Sequence, residues 1–432
     1  LSIVLSILLP FIDLNTVPMV TPEWLISPGT DFWWQQQQQR GLPLIERLEN
    51  ALCRVTFLWR DPQGSEKTSA FRHVWINITG ITDHHQPAPP RSLQRITGSD
   101  VWYWQTELPA DWRGSYCLIP DTSAESPERL TDLGQRKDWW REKFAIAGHD
   151  PLNPLRPWQG GRGMSVSPLH MPEAPCQADW APLDQGHALP LNIRRLQWHS
   201  QRLNNQRTVW LCETGRPEAP NRPLVLLLDG QFWAEQMPVA APLQSLTDRQ
   251  KLPPAIYVMI DTIDRQHRSH ELPCNEDFWL AVQQELLPLI SRQTGWQHNA
   301  ARTLVAGESF GGLAAVYATL TWPDVFGNAI SLSGSFWWPQ RGGTRGVLTR
   351  ELDEGHFSSH PRKIYLEAGR REPVVWQAGD ELFRALQRRN IEATLTQVEG
   401  GHDALCWRGG LLSGLQALLG PGESSPFPES DE

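Results

Sequence analysis

An α/β catalytic domain preceded by an antiparallel β-sandwich is the architecture this sequence predicts. Three observations carry that expectation. The first third of the chain holds short runs of alternating β-branched and aromatic residues separated by turn signals. The second half alternates continuous apolar strands with amphipathic helices, the pattern of a mostly parallel sheet covered on both faces. One strand there runs through a Gly-x-Ser-x-Gly into a helix. The length of 432 residues accommodates two or three domains at roughly 150 residues each.

The elements follow in order. Leu1–Phe11 is apolar but lacks the basic start and small-residue cleavage site of a secretory signal. Residues 1–20 are therefore set aside as a non-native or disordered leader, with the working protein expected to begin at Met19. Residues 21–150 form the expected sandwich. The tract Gln35–Gln39 reads as solvated linker or frayed helix. The strands are Cys53–Trp59, closed by the turn Asp61-Pro62-Gln63-Gly64, then His73–Ile78 and Trp102–Leu108. Asp83-His84-His85 has metal-like residue types, but adjacent histidines on extended chain cannot both aim at one ion, so no metal is expected.

A basic-aromatic helix is expected over Arg136–Phe144. Residues 151–195, rich in Pro and Gly and containing Gly160-Gly161-Arg162-Gly163, read as an interdomain linker. The catalytic domain spans 196–420. It opens with a hairpin, Leu196–His199 and Thr208–Cys212, followed by strands Pro223–Leu228 and Ala255–Ile260 and a helix over Phe278–Ile290. Strand Thr303–Ala306, helix Gly311–Thr321 and strands Asn328–Leu332 and Lys363–Leu366 come next, then helix Asp380–Arg388 and strand Thr394–Val398. The tail 421–432 is Pro-, Ser- and acid-rich and is expected to be disordered.

Composition excludes several classes. The net charge of -9, without a dense Lys/Arg block, argues against a nucleic-acid partner. No run of about 18 apolar residues is present to span a membrane. The six cysteines are scattered without C-x-x-C or zinc spacing, which suits free thiols in a reducing cytoplasm. Trp is abundant, with 22 copies; most belong in cores, but its flat face also suits stacking on aromatic ligands.

The chemistry centres on Gly307-Glu308-Ser309-Phe310-Gly311. Its strand–turn–helix setting is that of a nucleophile elbow, which lifts the serine hydroxyl above an α/β-hydrolase sheet. The hydroxyl needs a base, and His402, on the glycine-rich loop after the last expected strand, is in the right place. The acid that orients it should follow the strand Lys363–Leu366. Glu372 is preferred over Glu367, at the strand end, and over Asp380, in the next helix; a solvated Glu372 paired with Arg370 or Arg371 is the bland alternative. The order Ser309…Glu372…His402 is that of α/β-hydrolases. Two N–H donors for the oxyanion are expected from the backbone of Phe310 and of Gln231, the latter just after Asp229-Gly230.

Longer stretches carry a resemblance. ENALCRVTFLWRDPQG (49–64), INITGITDHH (76–85), WRGSYCLIP (112–120), DPLNP (150–154) and GGRG (160–163) lie in the first half. LLLDGQFWAEQMP (226–238), VAGESFGGLAA (305–315), LEAGRREP (366–373) and EGGHDALCWRGGL (399–411) lie in the second. Together they resemble the enterochelin (enterobactin) esterases, with the apolar start before Met19 as the chief departure. The resemblance implies a β-sandwich joined to an esterase D type α/β-hydrolase domain. It also implies Ser309 and His402 as nucleophile and base, Glu372 as acid, and a catecholate siderophore, ferric or iron-free, as substrate. No cofactor is implied; iron enters with the substrate. A bulky anion would need local arginine and aromatic walls, for which Arg162, Arg370, Arg371, Trp233, Trp337, Trp338 and Trp407 are candidates. The alternatives are a feruloyl or acetyl esterase acting on carbohydrate esters, and a siderophore-binding protein without catalysis. The oligomeric state is left open.

Overall fold

A computed structural model of the chain describes residues 25–124, 132–161, 163–187, 192–340, 342–358, 360 and 362–421. The leader 1–20 lies outside the described residues, as does the tail 421–432 apart from its first residue.

In the first half, helix α1 (Asp31–Arg40) precedes strands β1 (Leu44–Arg47), β2 (Leu52–Arg60), β3 (His73–Ile78), β4 (Arg91–Ser92), β5 (Gln94–Arg95), β6 (Val101–Pro109) and β7 (Arg113–Asp121). Helix α2 (Leu133–Phe144) follows, then β8 (Trp158–Gln159), β9 (Ser165–His170) and the short α3 (Ala181–Asp184). The strands pair as two antiparallel sheets, β1-β2-β6-β5 and β4-β3-β7-β9-β8. Alternate residues of both share one core, among them Val55 and Phe57 from β2, Val74, Ile76 and Ile78 from β3, and Tyr116 and Leu118 from β7. The glutamine tract is firmer than expected. Thr30 caps α1 through the Trp33 N–H, and Trp33, Trp34 and Gln37 are buried on one face.

The stretch 151–195 is not a plain connection. Its β9 pairs with β7 in the register Arg113↔His170 to Tyr116↔Ser167 and closes the second sheet. The prolines and glycines concealed it. Pro168 is tolerated because β8 pairs only with Ser165 and Val166, leaving the rest of that β9 side without a strand to bond.

The second half is built on an eight-stranded sheet of β10 (Ile193–Ser200), β11 (Asn205–Glu213), β12 (Leu224–Leu227), β13 (Ile256–Ile260), β14 (Thr303–Glu308), β15 (Asn328–Leu332), β16 (Lys363–Gly369) and β17 (Glu392–Val398). The spatial order is β10-β11-β13-β12-β14-β15-β16-β17. The β10–β11 hairpin joins antiparallel; the strands from β13 onward are parallel. The helices are α4 (Ala240–Asp248), α5 (Arg265–Glu271), α6 (Glu276–Ala281), α7 (Leu287–Thr294), α8 (Phe310–Thr321), α9 (Val347–Glu354), α10 (Pro373–Arg388) and α11 (Ala404–Leu419). They cover both faces and give two cores, one on each side of the sheet. A π-turn over Val282–Leu286 links α6 to α7, so Pro288 falls at the start of α7, where its missing N–H costs little.

The halves meet at a buried ionic cluster. Arg408 on α11 forks onto Asp184 at 2.7 and 2.6 Å, and Arg113 on β7 donates to His170, which itself faces Asp184. Burial pushes the Asp184 carboxyl up, but Arg408 and His170 outweigh it and hold it down at about 2.

Candidate active site

The parallel strands β12 and β14 are neighbours, with Leu227 opposite Ala306. Ser309 follows β14 at φ 57 and ψ −116, a conformation forced on a non-glycine residue only where its surroundings over-determine it. Gly307 supplies the room: a Cβ there would stand 2.6 Å from the Gly311 carbonyl carbon. Crowding is milder at Gly311, 3.4 Å to Leu228, and stronger at Gly312, 2.5 Å to Ser331 Oγ. Ser309 Oγ lies 3.4 Å from Ser335 Oγ, its hydrogen-bond partner in the structure.

Phe310 is the first residue of α8, so its N–H has no acceptor within the helix. Gln231 occupies the corresponding place after β12, at the N-terminus of a helical turn, and its side chain is tied to Thr262 at 2.7 Å. Beneath them Arg268 forks onto Asp229 at 2.6 and 2.8 Å. Burial, and then Asp229, push the Glu308 carboxyl well above the usual range, with Arg268 opposing.

The second side of the site lies at the ends of β16 and β17. His402 Nδ1 is 2.7 Å from Glu372 Oε2. The other oxygen of Glu372 accepts from Ser333 Oγ at 2.5 Å and from the Gly369 N–H at 2.8 Å. With both oxygens engaged, the buried Glu372 is placed to favour the imidazole tautomer with its proton on Nδ1, which leaves Nε2 as the acceptor. Trp407 Nε1 donates to Ser333 Oγ at 3.0 Å, and the Trp407 ring meets His402 edge to face at 4.9 Å.

The competing acids are placed elsewhere. Glu367 is on β16 and bonded to Tyr365, and Asp380 lies inside α10, bonded to Arg384. Arg370 and Arg371 do not pair with Glu372. Both share Glu399, Arg371 at 2.6 Å and Arg370 at 3.7 Å. Trp233 is the clear correction among the aromatic candidates. It is 1% exposed, packed in the core and bonded to Glu308, so it offers no face to a ligand. Half-buried Trp407 and Trp337 do border the site, the latter 5.9 Å from the Phe310 ring. Trp338 lies instead in a groove with His270 and Asn275. Arg162 lies outside the described residues. Asp83 is used up in its own turn, accepting from the Gly80 and His85 N–H groups.

Sequence reasoning missed Ser333 and Ser335. The only signal was the short small-residue stretch Ser333-Gly334-Ser335 after β15, and nothing local showed that Ser333 would bridge Glu372 and Trp407.

Comparison with known proteins follows the same division of the chain. A family model described as enterochelin esterase, N-terminal, matches residues 54–180, and an Esterase model matches 200–418. The chain is 51% identical over 402 residues to the iron(III) enterobactin esterase of Escherichia coli K12, covering 92% of this chain and 98% of that one. Identity to the Dickeya dadantii iron(III) enterobactin esterase is 44% over 416 residues, with 91% and 94% covered. A crystal structure of the Shigella flexneri enterobactin esterase, determined in the presence of enterobactin, superposes with a TM-score of 0.83 at 49% identity, covering 91% of this chain and 99% of that one. The Salmonella typhimurium ferric enterobactin esterase gives 0.84 at 50% identity, with 90% and 98% covered. The chain has the esterase-family fold and is a carboxylic ester hydrolase. With both halves matched in order and half of all aligned positions shared along nearly the full length of these relatives, it belongs to the enterochelin esterase family.

Proposed function

We infer that the protein hydrolyses the trilactone esters of enterobactin and related catecholate siderophores, ferric or iron-free, and so releases iron inside the cell. The observation that carries this reading is the 2.7 Å pair of His402 and Glu372 at the same sheet edge as the strained Ser309 elbow. The name shared by relatives at half identity supplies the substrate. Neither alternative has such support: those relatives are named for a siderophore rather than a carbohydrate ester, and the intact pair argues against a site kept only for binding.

In this mechanism His402 Nε2 takes the proton of Ser309 Oγ as the oxygen attacks the ester carbonyl carbon. The N–H groups of Phe310 and Gln231 hold the resulting oxyanion. Collapse of the tetrahedral intermediate breaks the ester C–O bond, and His402 returns the proton to the leaving seryl oxygen. Water, deprotonated by the same nitrogen, then frees Ser309. Glu372 keeps the imidazole in the accepting tautomer. Trp407 and Trp337 serve as walls for the catecholate rings. No cofactor takes part, and the iron travels as cargo of the substrate.

The N-terminal unit, read as a β-sandwich over about residues 21–150 extended by β9, is supported by its two antiparallel sheets around one core. Residence in the cytoplasm is supported by six unpaired cysteines. No described helix is long and apolar enough to cross a membrane.

The test is chromatography of ferric and iron-free enterobactin incubated with the parent and with Ser309→Ala. Linear trimer, dimer and monomer should accumulate with the parent alone. Equal product formation by Ser309→Ala would remove the nucleophile assignment, and hydrolysis of a simple aryl ester without turnover of enterobactin would remove the substrate.

A further inference from the structure

The loop that carries His402 is gripped from outside the catalytic sheet. On its N-terminal side the Arg113 N–H donates to the Glu399 carbonyl at 3.2 Å, and on its far side the Cys406 thiol faces the Arg113 carbonyl at 3.6 Å. Between them Asp403, 3% exposed, directs one carboxylate oxygen at Ser115 and the other at its own helix. Asp403 Oδ2 accepts both the N–H and the hydroxyl of Ser115, at 2.9 and 2.5 Å; Asp403 Oδ1 accepts the Leu405 N–H at 2.8 Å and caps α11. Ser115 lies within β7 of the N-terminal sheets, 288 positions away in sequence. The turn after β3 closes the grip. A Cβ on Gly401 would stand 3.1 Å from Gly80 Cα and from Thr79 Cγ2, and Thr79 donates its N–H to the Ser115 carbonyl at 3.0 Å.

We propose that Ser115 is a positioning residue for His402, acting through Asp403, so that the N-terminal unit aims the base. This rests on the reading of His402 as the base. Ser115 touches no reacting atom. Its two bonds converge on one buried oxygen of the residue next to His402, and that fixes the backbone from which the imidazole projects. Glu372 sets the tautomer of the ring; Ser115 and Asp403 set where the ring stands. A part of the fold that only walled the pocket would not need a doubly bonded, fully buried contact behind the histidine.

The experiment uses the full chain and two substrates, enterobactin and a small aryl ester that does not reach an N-terminal wall. Ser115→Ala should lower kcat about 10- to 100-fold on both, as expected for a misplaced catalytic group, while KM for the aryl ester stays unchanged. Ser115→Thr, which keeps the hydroxyl on a β-compatible side chain, should recover most of that loss. A folded Ser115→Ala with parental kcat on the aryl ester, or with only a raised KM for enterobactin, overturns the proposal and leaves the N-terminal unit as a wall. Should Ser115→Ala fail to fold, Asp403→Asn weakens the same bonds at constant volume and is judged by the same two results. Ser309→Ala and His402→Ala run alongside. If those two keep turnover, the site reading itself has failed, whatever Ser115 does.

Discussion

Ser309 is held mainly by backbone, at the ends of two adjacent parallel strands, whereas His402 is surrounded by hydrogen-bonding side chains drawn from several separate stretches of chain. On the serine side the fixing contacts are the Ser309 N–H to the Leu332 carbonyl at 2.9 Å and the Ser335 N–H to the Ser309 carbonyl at 3.0 Å. Missing Cβ atoms at Gly307 and Gly312 complete them. On the histidine side they are Glu372, Ser333, Trp407 and, through Asp403, Ser115. The serine needs a rigid, strained turn, which only tightly packed main chain provides. In the proposed mechanism the histidine accepts and returns a proton, and its surroundings are hydrogen-bonding side chains whose chemistry can be tuned. Substitutions on the two sides should therefore fail in different ways.

The largest effect is expected from Glu372→Gln. The amide keeps the shape but stops enforcing a proton on Nδ1, so kcat should fall on the order of 10³–10⁴-fold with little change in KM or Tm. A loss below about tenfold would show that the histidine side does not depend on this carboxylate. Gly307→Ala tests the opposite side. Its methyl group, at 2.6 Å from backbone that cannot yield, should cost about 100-fold in kcat and roughly 1–3 kcal/mol of stability together. If Gly307→Ala lost activity at parental Tm, the serine side would be tunable in the same way as the histidine side, and the contrast would collapse.

The same contrast decides what was legible in the sequence. The elbow is a local device, and Thr303–Ala306, Ser309 and the helix after it could be read from consecutive residues. The meeting of His402 with Glu372 was legible through chain order, since each follows a strand. Ser333, Ser335 and Ser115 were not, because their roles arise from pairing of distant segments, and serines in turns and strands carry no pattern of their own. Trp233 was misplaced for a related reason. Proximity in sequence to Gln231 put it near the site, but its side chain points into the core beneath the sheet and meets Glu308. Strand β9 was hidden because its partner, β7, begins 52 positions earlier (165 against 113), and the intervening Pro and Gly residues read as linker.

The smallest of these expected effects concerns a spectator on the histidine side. Glu367, on β16, bonds to Tyr365 and is nearly enclosed; burial pushes its carboxyl up to about 7, and nearby Glu372 adds to the shift. Below pH 4.5, its ordinary value, Glu367 is protonated in folded and unfolded chains alike and costs nothing. As pH rises from there to about 7 the unfolded chain gives up this proton first, so the contribution to stability is lost through that window and stays lost above it. Glu367→Gln, permanently neutral, should therefore gain roughly 2–3 kcal/mol over the parent at pH 8 and almost nothing at pH 4.5. Parallel denaturant titrations at the two pH values measure that difference. Because Glu367 touches neither Ser309 nor His402, kcat at pH 8 should hold. A stability gain without a change in rate would separate Glu372, the acid bonded to the histidine, from the acid the fold tolerates beside it. An equal gain at both pH values would instead mean that the carboxyl is not protonated preferentially in the folded chain, and that the histidine side is less sensitive to pH than its buried acids suggest.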